Sequence, residues 1–146
     1  MKQFQFSLEH AMQLRRLRAD MERARLEALY AEMRQLDVQK RILEEEERAV
    51  HDQVETPDAV RTQQLFALNR FSRHLDARKK YLDARRVDVL RQVAEQQVRL
   101  TGAQRVFDLL EKLKTEKEAG WQAAFDREQQ ALAGELYLDK WERQCS

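Results

Sequence analysis

Val54-Glu55-Thr56-Pro57-Asp58 holds the one proline of a 146-residue chain, and its neighbours are those that open a helix. Thr56 is a good N-cap, Pro57 suits the first helical position, and Asp58 places a carboxylate where the helix dipole favours it. Outward from this break, helical patterning runs uninterrupted in both directions. The only other residues of the turn-forming kind that break helices are three glycines, Gly102, Gly120 and Gly134, none of them in a turn-like cluster. Average usage would place roughly seventeen Gly and Pro residues in this length, so the chain has little room for turns. The pattern predicts an all-α fold: a long antiparallel two-helix coiled-coil hairpin with an extended C-terminal helix. It forms a single domain over residues 1–146, with helix one about 7–54, a turn about 55–57 and helix two about 57–142.

Helix one is expected to open at Ser7, whose hydroxyl can cap it, with Glu9 in the first turn. Its apolar stripe is read through Leu8, Met12, Leu14, Leu17, Met21, Leu29, Met33, Leu36, Leu43, Val50 and Val54. The spacing through Met21, Arg25 and Leu29 predicts a stutter that unwinds the supercoil locally. Helix two carries a seam at 82, 86, 89, 93, 96, 100, 103, 107, 110, 114, 117, 121 and 124. Its steps alternate between four and three, the signature of a sustained heptad.

A turn centred near residue 56 sets an expected register. Leu43 faces Leu68, Leu36 faces Leu75, Leu29 faces Leu82, and Leu8 lands near residue 103. Helix one then ends early, and about 40 residues of helix two, on the order of 60 Å at 1.5 Å per residue, extend beyond it. That stretch carries Phe107, Leu110, Leu113, Trp121, Phe125, Leu132, Leu136 and Trp141, enough apolar surface to call for a partner.

Composition narrows the function. With 36% charged and 8% aromatic residues, the chain is poorly supplied for a thick core or a concave active site. The 27 basic and 26 acidic residues nearly cancel, which gives no net basic footprint for nucleic acid or membrane surfaces. No apolar run approaches a membrane span, and the N-terminus shows no signal-peptide core. His10, His51 and His74 lack ligand spacing, and no glycine-rich phosphate loop is present. No catalytic residue, cofactor or metal is expected. Glu44-Glu45-Glu46-Glu47 is expected to meet Arg61, Arg70 and Arg73 across the hairpin, with a docking patch for a basic partner as the alternative. The Arg15-Arg16-Leu17-Arg18 run is a solvated face or a contact for an acidic surface.

Phe4-Gln5-Phe6-Ser7-Leu8-Glu9 leading into Leu14-Arg15 resembles the start of the flagellar export protein family FliJ. The segment from Ala103 through Phe107 to Leu110-Glu111-Lys112-Leu113-Lys114 is similar to that family's C-terminal part, and Trp121 and Arg127-Glu128-Gln129 follow it. Chain length and the two-helix pattern match as well; Gly134-Glu135 departs from the family's acidic pair. The resemblance implies a non-enzymatic stalk of the type III protein export apparatus that activates the export ATPase hexamer and links it to the membrane export gate. Injectisome stalk proteins are similar. It further implies a cytoplasmic monomer at the inner face of the inner membrane, in possible contact with export chaperones and with no nucleic acid or metal. The ATPase-facing residues would be Phe4, Phe6, Arg15, Arg16, Arg18, Phe107, Leu110, Trp121 and Phe125. The gate-facing residues would be Phe71, Leu75, Arg78 and Leu82; Leu75 and Leu82 are also seam residues, so a place in the core is the competing reading. A self-associating structural coiled coil and an export chaperone or escort are the alternatives.

Overall fold

The computed structural model describes residues 2–55 and 62–145, and among these the regular elements are two helices. Helix α1 spans Glu9–Glu55 and helix α2 spans Thr62–Cys145. The fold is an all-α helical hairpin; the expected turn and its Thr56-Pro57-Asp58 cap lie outside the described residues. The α1 N-cap position falls on Leu8 rather than Ser7, because the first helical bond runs from the Met12 N–H to the Leu8 carbonyl at 2.8 Å. The Glu9 N–H closes a turn onto the Phe6 carbonyl at 3.1 Å, and residues 2–6 precede the helix as irregular chain.

The chain divides into two compact units, one spanning Met21–Leu100 and one combining the residues up to Asp20 with those from Thr101 onward. The core of the first consists of Leu36, Leu82, Val89 and Val93, with Leu26, Leu29, Met33 and Leu43 packed against them. Leu75 and Leu82 are 2% exposed and Val89 is fully buried. At about 1.5–3 kcal/mol for each such side chain removed from water, this seam is the main stabilising term of the unit. Ion pairs flank it and fix an antiparallel course. Glu32 accepts from Arg85 Nε and Nη2 at 2.8 and 2.6 Å, Asp37 from Arg86 Nε at 3.0 Å, and Asp83 from Lys40 Nζ at 2.8 Å. The hydrogen bond from Lys40 to Asp83, reinforced by the carboxylate's charge, raises the lysine pKa above its ordinary value. The bond to Glu32 does the same for Arg85.

The register differs from the expected one. Lys40 meets Asp83, and in the other unit Glu9 meets Lys114 at 2.9 Å. A turn centred at residue 56 would have brought these residues opposite 72 and 103. The pairing is thus displaced along α2 by roughly ten residues, about 15 Å of helix. The Glu44–Glu47 run accordingly meets Lys79, which bonds Glu47, rather than Arg70 and Arg73; Arg61 lies outside the described residues.

The α1 stripe also differs. Among its covered positions, 12, 19, 22, 26, 29, 33, 36, 40 and 43 follow heptad steps, with no stutter between Met21 and Met33. Ala19 and Glu22 occupy seam positions where large apolar residues were expected, so Leu14, Leu17 and Met21 point outward, Leu14 at 66% exposure. On α2 every expected seam position except Lys117 is at least half-buried. The three glycines are helical, and a Cβ built at any of them meets nothing within 4 Å. They are tolerated in place; no close approach requires them.

Candidate partner-binding surfaces

The residues of the N-terminal signature fold onto α2. In the unit built from the two chain ends, the Phe4 ring lies 6.1 Å from that of Trp121, and Trp121 stacks on Phe125 at 5.3 Å. The Trp121 indole N–H donates to the Lys2 carbonyl at 3.2 Å. A buried indole needs such an acceptor, and the irregular lead-in supplies it. Phe6 is buried. Phe107, Leu110, Trp121 and Phe125 are all half-buried, so the displaced register gives these four residues covering contacts that the expected register lacked. Their first role is to hold the unit together.

Beyond Phe125 every described residue of α2 is exposed. This stretch, about 30 Å long at 1.5 Å per residue, carries Leu132, Leu136, Tyr137, Leu138 and Trp141. It is half the length anticipated from the expected register. Arg15, Arg16 and Arg18 are exposed on α1, with Leu14 and Leu17 exposed among them. The unit therefore offers two outward features: a basic and apolar stretch on α1, and an apolar terminal length of α2.

In the Met21–Leu100 unit the four residues implied for the gate separate. Leu75 and Leu82 belong to the core, whereas Phe71 is 39% exposed and Arg78 lies outside, its guanidinium 5.4 Å from the Tyr81 ring centre. Phe71 joins Phe66, Arg70, Arg73 and His74 along an open groove on α2. Phe66 was not anticipated; it lies off the seam, and its signal was an aromatic residue between seam positions next to basic ones.

Among the described residues, no group of three or more His, Cys, Asp or Glu is placed to hold a metal ion. No helix there is long and apolar enough to cross a membrane. Comparison with protein-family models, with curated proteins and with solved structures finds no match. The class that the fold defines is an all-α helical hairpin, here with exposed apolar and basic faces.

Proposed function

We propose that this chain is a non-enzymatic coupling protein of a type III protein export apparatus, FliJ-like in kind, that binds and activates an export ATPase ring and links it to a membrane export gate. One observation carries the reading: Phe4 of the N-terminal signature packs with Trp121 of the C-terminal segment and Phe6 is buried, leaving a bare apolar length of α2 beyond them. In this reading Arg15, Arg16 and Arg18 face acidic surface of the ring, and Leu132, Leu136 and Trp141 are covered within it. A helix apolar on several sides is normally enclosed rather than laid on a flat surface. The gate edge comprises Phe71 and Arg78 with the neighbouring Phe66 and Arg70, since Leu75 and Leu82 are occupied by the core. The protein then works on the cytoplasmic side of the inner membrane.

The test is ATPase turnover of a purified export ATPase with and without the chain. Stimulation by the full chain, lost when it is cut after Asp126, is expected. A full chain that leaves turnover unchanged overturns the reading. The exposed C-terminal length also favours a second reading, a self-associating structural coiled coil. A tight dimer by sedimentation, converted to monomer by the same cut, would establish that instead.

A further inference from the structure

The seam of the Met21–Leu100 unit contains two buried polar side chains, Glu22 at 7% and Gln96 at 6% exposure. The Gln96 amide donates to the Glu22 carboxylate and, at 3.1 Å, to the Glu22 backbone carbonyl. Arg25 Nη1 reaches the other carboxylate oxygen at 3.5 Å. Each polar group is therefore satisfied, and the Gln96 amide finds its Glu22 acceptors only while these two residues face each other.

Most of the ion pairs flanking this seam are less particular, because α2 repeats itself, although the Lys79–Glu47 and Gln97–Tyr30 bonds have no equivalent one heptad away. Leu75-Asp76-Ala77-Arg78-Lys79 is followed one heptad later by Leu82-Asp83-Ala84-Arg85-Arg86. In the observed register Leu82 packs with Leu36, Asp83 takes Lys40, Arg85 takes Glu32 and Arg86 takes Asp37. Sliding α2 by one heptad, about 10 Å, brings Leu75, Asp76, Arg78 and Lys79 to the same four places with the same charges. Leu82 then stands where Val89 was. Arg86 arrives at the place of Val93, where its aliphatic stem can lie along the seam. A slide in the opposite direction brings Leu90, Gln92 and Val93 to the ion-pair positions and loses all three pairs.

The three ion pairs to Glu32, Asp37 and Lys40 therefore do not distinguish the two registers, whereas the Glu47–Lys79 pair is lost on sliding, because Ser72 takes the place of Lys79. The buried pair also distinguishes them: in the slid register Val89 arrives opposite Glu22, and the carboxylate, packed on an aliphatic side chain, loses its Gln96 donor and keeps only the 3.5 Å contact with Arg25 of its own helix.

We propose that the repeat gives the hairpin two registers one heptad apart, and that the Glu22–Gln96 pair holds it in the observed one. A single buried polar pair fixing register is the best-attested use of such residues in helical seams. The proposal does not depend on the export reading.

The experiment moves the polar residue by one heptad. In a Cys145→Ser background, spin labels are placed through Lys40→Cys with Asp83→Cys, and separately through Lys40→Cys with Asp76→Cys. The label separation is then measured. With the native seam, the 40–83 pair is the closer. The exchange Val89→Gln with Gln96→Val is expected to reverse the order, making 40–76 the closer by about one heptad rise. Gln96→Val alone, which leaves Glu22 with Arg25 as its remaining partner, should give both separations in one sample. Glu22→Gln with Gln96→Glu, which keeps the bond, should retain the native order. An exchange variant that keeps 40–83 as the closer pair overturns the proposal, and so does one that no longer folds, since the second register would then not exist.

Discussion

Individual side chains divide by burial rather than by hydrophobicity, and this is where substitutions separate most sharply. Leu82 is buried against Leu36 and Val89, and Leu14 is two-thirds exposed; both are leucines on stripes that look alike in the sequence. Leu82→Ala should cost about 2–5 kcal/mol, through lost transfer energy and a cavity. Leu14→Ala should change stability by no more than ~0.5 kcal/mol. Urea unfolding followed by circular dichroism measures both, and equal losses would place Leu14 in the seam. Gly120 has room for a Cβ and sits inside a helix, so Gly120→Ala should stabilise by about 1 kcal/mol. Lys40 adds a pH dependence of known sign. Its pKa is raised by Asp83, so the stabilisation is complete below the unfolded lysine value of about 10.4 and disappears as pH rises through the folded value. The native protein should therefore lose its melting-temperature margin over Lys40→Gln above that pH, while between pH 7 and 9 the margin stays constant.

At the scale of the helices, α2 was almost wholly legible and α1 only in part. The α2 seam is written in large apolar residues at alternating steps, so periodicity finds it. The α1 seam passes through Ala19 and Glu22, and a search for large apolar side chains follows Leu14, Leu17 and Met21 onto the outer face instead. Glu22 is invisible to such a search because its partner, Gln96, lies 74 residues away. Register was not legible either, since a turn position fixes it only to within the length of the connection. From that error followed the doubled estimate of the uncovered C-terminal length. The corrected boundary is testable: cutting the chain after Asp126 removes only exposed residues and should leave the melting temperature within a degree or two. Cutting after Glu118 removes Trp121 and Phe125, strips Phe4 and the Lys2 carbonyl of their partners, and should lower it clearly. If both cuts destabilise equally, the terminal length of α2 is folded against something it does not touch in this structure.

For the molecule as a whole, folding and partner binding should respond differently to salt. Four of the cross-helix ion pairs are each about a third or more exposed on both sides, and Glu47 of the Lys79–Glu47 pair is about half exposed; such pairs contribute little to stability. The 27 basic and 26 acidic residues nearly balance, so there is no large self-repulsion for salt to relieve. Shortening the Debye length from about 10 Å at 0.1 M to about 3 Å at 1 M should barely move the melting temperature. Binding to an ATPase ring through Arg15, Arg16 and Arg18 is another matter, because three like charges on one exposed stretch of helix attract an acidic surface over a distance that salt controls. ATPase stimulation should fall steeply across the same salt range, and replacing the three arginines with glutamine should abolish most of that slope while leaving the helical content unchanged. Stimulation that is insensitive to salt, yet lost when Leu132, Leu136 and Trp141 are replaced together by alanine, would move the contact from the arginines to the apolar end of α2.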